Sequence, residues 1–523
     1  MSTRELTDRA AAGGVLAAAC VSTFVVNANT SAVTILLPTM SEDVGAPVAQ
    51  LQWAVTGYML VGAAVIVTSG ALGDVFGRRR VFLGGLLLFI ASCVLIALST
   101  GGAGIIVGRL IQGASGATIL ACGMSLLSVA SSGKGQMRAI TVWGAASAAG
   151  AAMGPLIGGA LVELSGWQGL FWLDAAIAAA CIPLTLAKVQ ESRDPERARS
   201  IDFAGTVLIA VALVPLVLGF SKGGDWGWTS AATLGCFVAS VVGAVLFVVV
   251  EKRVSAPLVD LALLRNQILV GATLAILIVA GTINGLMYVL SLYLQDPATF
   301  GYSALKTGVA TLPAAAAMIA VTPFITPLAA RIGTRFAIVA GFGLAAAGFG
   351  ALALIESSWA YASLVLPLVL LSVGLGLANG PASSASTAAV SQDQVGQASG
   401  ISNMARYIGG SVVVAAVATI FNSVTVEETA AGASASEALA AGFSRAAVLM
   451  AIMCALGVAL VLLMARHQQP RPAAVNFAAA AAGAASHTIP TRPVPVSTAG
   501  ADVRPEATGV SALSAPSTPP EHG

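Results

Sequence analysis

The chain has 523 residues, of which 57% are hydrophobic and only 9% are charged. A soluble domain carries about 25% charged residues, so this composition excludes a water-soluble globule and predicts that most of the chain lies in lipid. The formal net charge of +2 does not favour nucleic-acid binding. All six cysteines lie in apolar segments without CxxC or metal-ligand spacing, which argues against disulfides and bound metal.

Apolar segments of spanning length recur along the chain. The hydrocarbon core of a bilayer is about 30 Å thick, and crossing it takes about 20 apolar helical residues. By that measure the sequence predicts an all-α polytopic membrane protein with fourteen transmembrane helices. The predicted spans are 14–37, 53–72, 81–99, 105–130, 140–161, 170–186, 203–219, 231–250, 268–292, 307–328, 337–355, 361–377, 402–421 and 446–464.

The distribution of basic residues predicts the orientation of these spans. Because the number of spans is even, both termini lie on one side of the membrane, and that side holds most of the loop lysines and arginines. The opposite side holds only Lys222, Lys306 and Arg445. Loops rich in Lys and Arg stay in the cytoplasm. The sequence therefore predicts a multi-pass plasma-membrane protein with both termini in the cytoplasm.

A short glycine- and arginine-rich loop, GALGDVFGRRR at residues 70–80, joins predicted spans 2 and 3. Residues 328–335, LAARIGTR, repeat its glycine and arginine between spans 10 and 11, with Ala330 in the place of Asp74. Corresponding loops in two halves indicate a duplicated helical bundle. Residues 466–523 are rich in Ala, Pro, Ser and Thr and are predicted to form a disordered cytoplasmic tail.

Further motifs follow in order along the chain. They read GRLIQG at 108–113, GAAMGPLIGG at 150–159, LQ at 294–295, GYS at 301–303 and NMAR at 403–406. Together with the loop at 70–80, they resemble the fourteen-span drug:proton antiporter branch of the major facilitator superfamily. The resemblance implies the major facilitator fold, with six-helix bundles at 1–200 and 266–465, two extra transmembrane helices and a linker at 201–265, and the tail at 466–523.

Arg109 is the only basic side chain well inside a predicted span. An arginine in the membrane is costly and normally faces the bundle interior and pairs there, although snorkelling to the interface is an alternative. Gln112 lies one turn away on the same face. The resemblance implies that this position takes part in proton coupling.

The resemblance implies that the loop at 70–80 acts as a conformational latch. Its acid would bond to a neighbouring helix terminus and to arginines in one of two states, whereas a merely solvated loop charge is the alternative. The residues concerned are Gly70, Gly73, Asp74, Gly77, Arg78 and Arg79.

Small residues line one face of span 5. Glycines spaced by four residues allow another helix backbone to come close, and a proline there kinks or softens the helix. The resemblance implies a signature of exporters, although ordinary small-residue packing explains the same pattern. The residues are Gly150, Gly154, Pro155, Gly158 and Gly159.

The first span departs from the family pattern. The branch usually has an aspartate where this chain has Asn29, which cannot titrate, and it usually has asparagine in span 6 where this chain has Asp174. We expect Asp174 to perform part of the role of the missing acid. The alternative is an interfacial aspartate that caps a helix or pairs with Arg109.

Other polar residues interrupt apolar spans and are candidates to line a substrate path. Each is more often a helix–helix hydrogen bond than a substrate contact. Asn403 and Arg406 open span 13, where a gating role and a cytoplasmic anchor are equally compatible with the sequence. The candidates for the path are Asn27, Asn284, Tyr288, Gln295 and Asn379.

The sequence contains neither a nucleotide-binding P-loop nor a nucleophile–base or metal-ligand set, which argues against an enzyme and against direct use of ATP. The family implies a monomeric exporter of amphipathic, drug-like or antibiotic molecules that requires no cofactor and is driven by a proton gradient. A same-fold exporter of one endogenous metabolite or antibiotic, and a proton-coupled importer, remain as alternatives.

Overall fold

The computed structural model describes residues 3–130, 133–193, 202–254, 257–391 and 394–464, and within these ranges every regular element is helical. The predicted tail at 466–523 lies outside the described residues. A 3₁₀ turn occurs at Leu263–Arg265. The helices are α1 (Thr3–Val44), α2 (Val48–Leu51), α3 (Trp53–Phe76), α4 (Arg78–Ala97), α5 (Gly102–Ala130), α6 (Gly133–Ser165), α7 (Gln168–Lys188), α8 (Phe203–Trp226), α9 (Ala231–Glu251), α10 (Gln267–Gln295), α11 (Ala304–Ala310), α12 (Leu312–Ile332), α13 (Thr334–Leu352), α14 (Tyr361–Ala388), α15 (Val395–Ala430) and α16 (Ala435–Met464).

The predicted number of spans is confirmed. In the described part of the chain, fourteen helical segments are long and apolar enough to cross a membrane, so the protein is a multi-pass membrane protein. Several boundaries differ from the prediction. The first helix continues through Pro38 to Val44, and the tenth span is divided at Thr311 into α11 and α12. Pro313 lacks a backbone N–H and therefore fits the first turn of α12.

The thirteenth span also begins earlier than predicted. The helix α15 starts at Val395, and its membrane-spanning part runs from Gln397 to Ala430. Arg406 therefore lies inside this span instead of opening it.

The helices pack in two groups. In the first group α1 packs along α6, α3 packs on α5, and α4 lies between α5 and α7. In the second group α10 packs on α15, and α13 contacts both α14 and α16. The hairpin of α8 and α9 leans through α8 on α3 and α15. The two groups meet where α3 contacts α15, α6 contacts α11, and α1 contacts α10.

Glycines allow α1 and α6 to approach at backbone distance. A Cβ atom added to Gly150 would lie 2.3 Å from the carbonyl oxygen of Phe24, and one added to Gly154 would lie 2.3 Å from that of Ala28. Both distances are far below van der Waals contact, so no larger side chain fits without moving a backbone. The spacing of four residues therefore places one face of α6 directly against α1.

We expect Gly154→Ala to lower the melting temperature of the purified protein and its yield from membranes, because the new methyl group forces α1 and α6 apart. Thermal unfolding in detergent measures the effect. Gly144→Ala is the matched control, since a Cβ there has no atom within 4 Å on the same helix. Equal melting temperatures for the two variants would contradict this account of the α1–α6 contact.

Candidate functional site

Arg109 lies at the centre of a buried polar cluster. Its guanidinium group is completely buried, donates from Nε to the carbonyl oxygen of Ala54 at 2.8 Å, and donates from Nη1 to Oδ1 of Asn29 at 2.6 Å. It also donates to Oε1 of Gln112 and lies over the ring of Tyr58, 4.3 Å from the ring centroid. These contacts place the guanidinium inside the bundle and not at the interface.

Asn29 connects Arg109 to Asp174. The amide oxygen of Asn29 accepts from Arg109, while its Nδ2 donates to Oδ2 of Asp174 at 2.7 Å. Asn29 is completely buried and Asp174 is 4% exposed. Within the described ranges the structure shows no ion pair between Arg109 and Asp174 themselves. One neutral amide therefore joins a buried cation to a buried carboxyl group.

Four helices supply this cluster. Asn29 lies on α1, Tyr58 on α3, Arg109 and Gln112 on α5, and Asp174 on α7. The backbones come close because Gly113 is next to Gln112: a Cβ on Gly113 would lie 2.3 Å from the carbonyl oxygen of Tyr58. The cluster belongs entirely to the first group of helices.

The residues of the predicted latch lie at the junction of α3 and α4. Arg78 forms an ion pair with Asp74 at 2.9 Å, one helical turn away. Gly77 joins the two helices with φ of 112°, a conformation that favours glycine. The side chain of Arg79 donates to the carbonyl oxygen of Leu186 at 2.9 Å, at the end of α7. The other two latch glycines differ in the space around them. A Cβ added to Gly73 would lie 3.2 Å from Sγ of Cys122, whereas one added to Gly70 would have no atom within 4 Å.

Glu191 is a contact that sequence reasoning missed. Its carboxylate accepts from the backbone N–H of Arg79 at 3.2 Å and lies 3.6 Å from Nε of Arg80. An acid at the start of a helix is favoured by the helix dipole. Glu191 therefore caps α4 from the segment after α7. The feature of the sequence that could have indicated this contact is an acidic residue shortly after span 6, on the same predicted side of the membrane as the loop at 70–80.

The glycine-rich stretch of α6 at residues 150–159 contacts both groups of helices. Gly150 and Gly154 face α1, as does Gly158, whose added Cβ would lie 2.8 Å from that of Ala32. Gly159 faces α11 instead, where a Cβ would lie 2.6 Å from the carbonyl oxygen of Ala304. The carbonyl oxygen of Pro155 in turn lies close to Gly308. This stretch of α6 is therefore a contact between the two groups.

The predicted path residues do not form one cluster. Asn27 and Asn284 donate to carbonyl oxygens of their own helices, at 2.8 Å in both cases. Tyr288 is completely buried. Gln295 connects the two groups of helices, because its Nε2 donates to the carbonyl oxygen of Ile35 at 3.0 Å.

The predicted gating residue Arg406 contacts the predicted path residue Asn379. Its guanidinium donates to Oδ1 of Asn379 at 3.1 Å and to Oγ of Ser383 at 2.9 Å, both on α14. Arg406 and Asn403 are half-buried. The residue after Arg406, Tyr407, packs against Tyr58 with ring centroids 6.4 Å apart. The second group of helices thus touches the aromatic ring that covers Arg109.

An all-helical membrane bundle with a buried arginine and a buried carboxyl group joined through an amide fits the architecture of a secondary transporter. Residues 19–414 match the family model of the Major Facilitator Superfamily, and the chain belongs to this family. The prediction of the family and of its all-α fold is confirmed.

Several relatives of the chain are named as export or resistance proteins. It is 31% identical over 414 residues to the tetracenomycin C resistance and export protein of Streptomyces glaucescens, covering 79% of this chain and 75% of that protein. It is 33% identical over 400 residues to the multidrug resistance protein Stp of Mycobacterium tuberculosis, covering 76% and 74%. A solved bacterial homolog of the human lysosomal transporter Spinster has the same fold, with a TM-score of 0.63 at 14% identity, covering 88% of this chain and 98% of that one.

Proposed function

We propose that this protein exports amphipathic, drug-like or antibiotic molecules from the cytoplasm in exchange for protons. The observation that carries the proton part is the buried connection from Asp174 through Asn29 to Arg109. The export part rests on the relatives, whose names describe resistance and export.

Asp174 is the proton-binding group in this proposal. A charged carboxylate in a lipid-surrounded bundle is costly, and protonation removes that charge. In the present arrangement Asn29 donates to the Asp174 carboxyl, while Nη2 of Arg109 is buried without a hydrogen-bond partner in the described part of the chain. A shift of Asn29 would let this free donor reach a deprotonated Asp174. Protonation of Asp174 would release it again.

Alternating access then follows from rocking of the two six-helix halves, 1–200 and 266–465, with both termini in the cytoplasm. The contacts of α6 with α11 and of α3 with α15 are the surfaces that would rearrange. The transporter would act as a monomer and would need no cofactor, since the proton gradient supplies the energy. The loop from Gly70 to Arg79 would stabilise one of the two states.

Dye efflux from a pump-deficient host tests this function. We expect cells that express the protein to accumulate less of an amphipathic dye, and a protonophore to remove the difference. In proteoliposomes, an imposed pH gradient should drive dye movement that an equal-pH control lacks. Efflux that continues at the same rate without a gradient would overturn the antiport mechanism.

A dedicated substrate is the second candidate. The name of the tetracenomycin C resistance and export protein states a single compound, which favours a dedicated exporter. The same efflux assay with a panel of unrelated amphipathic molecules distinguishes the two. Gradient-dependent transport of several unrelated members supports a multidrug exporter, whereas transport of one chemical class supports a dedicated one.

A further inference from the structure

Two buried carboxyl groups close the base of the α8–α9 hairpin. Asp202 caps the first turn of α8 and is 7% exposed, while Glu251 is the last residue of α9 and is 3% exposed. One oxygen of each carboxyl group accepts a hydrogen bond from the backbone. Oδ1 of Asp202 accepts from the backbone N–H of Gly205 at 2.7 Å, and Oε2 of Glu251 accepts from that of Val259 at 3.3 Å.

The second oxygen of each carboxyl group faces the other. Oδ2 of Asp202 and Oε1 of Glu251 are both buried and lack a hydrogen-bond partner in the described ranges. A Cβ placed on Gly205 would lie 2.4 Å from the first oxygen and 2.6 Å from the second. The two oxygens therefore border the same space, which only glycine leaves open at position 205, and they are at most 5.0 Å apart.

Within the described ranges, no cation is paired with either carboxyl group. Lys252 and Arg253 are exposed, and the carboxylate of Asp260 accepts from the backbone of Ala262. Three further charged groups lie on neighbouring elements: Asp74 at the end of α3, which is paired with Arg78, Arg265 before α10, and Arg406 on α15, which is bonded to α14. The remaining charged residues of α8 and α15 lie towards the opposite ends of these helices: Lys222, Asp225, Glu427 and Glu428.

Two ionised carboxylates buried side by side would repel each other, and each would lose its hydration. A proton or a cation between the two oxygens removes both penalties. A divalent cation prefers six or more oxygen ligands, several of them water, whereas two shielded carboxyl oxygens offer only part of such a shell. A proton needs only these two atoms.

We infer that Asp202 and Glu251 together bind one proton, which forms a carboxyl–carboxylate hydrogen bond between the two ends of the hairpin. This proton site lies outside the Asp174 cluster and does not depend on the proposed export function. The pair lies next to a contact between the hairpin and the core, where Thr206 donates to the carbonyl oxygen of Asp202 at 3.0 Å and shares a hydrogen bond with Thr68 of α3.

The first test is the pH dependence of thermal stability in detergent. The folded pair keeps a proton that the unfolded chain releases at the ordinary carboxyl pKa of about 4, so the free energy of unfolding should fall as the pH rises above that value. In Glu251→Gln and Asp202→Asn an amide N–H replaces the shared proton at every pH, so this fall should be smaller. Asp225→Asn, which changes an exposed carboxylate at the other end of the same hairpin, should behave like the wild type.

The second test is the infrared carbonyl band of a protonated carboxylic acid. We expect the wild type and Asp225→Asn to show a band at neutral pH that both Glu251→Gln and Asp202→Asn lack. Identical bands and identical pH slopes in all four proteins would overturn the proposal. So would a missing band together with a rise in melting temperature on addition of Mg²⁺ or Ca²⁺, because these results would assign a cation to the pair.

Discussion

Asp174→Asn is expected to abolish proton-driven efflux while leaving the protein folded. The amide has nearly the same shape as the carboxyl group and still offers an oxygen to Nδ2 of Asn29, but it cannot bind or release a proton in the physiological range. Gradient-driven transport should fall at least about tenfold, equivalent to about 1.4 kcal/mol in the barrier. Substrate exchange without a gradient should persist, because it needs no net proton movement.

Proteoliposomes that compare gradient-driven uptake with equilibrium exchange make this measurement. The matched control is Asp225→Asn, which removes an exposed carboxylate of an i, i+3 ion pair with Lys222. If Asp174→Asn retains wild-type transport under a proton gradient, Asp174 is not the coupling residue. Loss of both activities together would instead show that Asp174 supports the fold or the substrate site.

Arg109→Lys should inactivate transport even though the positive charge remains. The guanidinium donates in different directions to Ala54, Asn29 and Gln112, and a lysine ammonium cannot reproduce this planar geometry. Each buried acceptor left without a donor costs about 1–3 kcal/mol. We therefore expect at least about a tenfold loss of transport and a lower melting temperature.

Transport assays and thermal unfolding of the same preparations provide the data. Arg445→Lys is the control, since Arg445 is exposed on α16 and the same substitution should have little effect there. An Arg109→Lys variant with unchanged transport would show that charge alone suffices at this position. In that case the bonded geometry around Asn29 would not be part of the mechanism.

The sequence predicted Arg109 and Asp174 as coupling candidates for different reasons and gave a pairing between them only as an alternative, and the structure shows how they are connected. Asn29 was identified as a departure from the family pattern, a titratable acid replaced by an amide. Its contact with both partners depends on the packing of α1 against α5 and α7, which no sequence spacing specifies. The role of Asp174 in coupling remains a prediction.

Other contacts could not be read from the chain at all. Glu191 reaches the start of α4 from a segment more than a hundred residues away, and Arg406 bonds to Asn379 on the preceding span. The pair of Asp202 and Glu251 arises only when the two ends of the α8–α9 hairpin meet over Gly205. Each of these is a long-range contact between polar residues that look isolated in their own segments.

The sequence by itself determined that the chain lies in a lipid bilayer, how many spans it has and to which family it belongs. These follow from the length of apolar segments, the distribution of charged residues and the order of motifs, which are all local properties of the chain. The tertiary structure decided which buried polar groups become partners. In lipid a buried charge must find a bonding partner, and that partner is set by helix packing, where one glycine can bring two backbones into contact. The placement of Asn29 between Arg109 and Asp174 is the result of that packing.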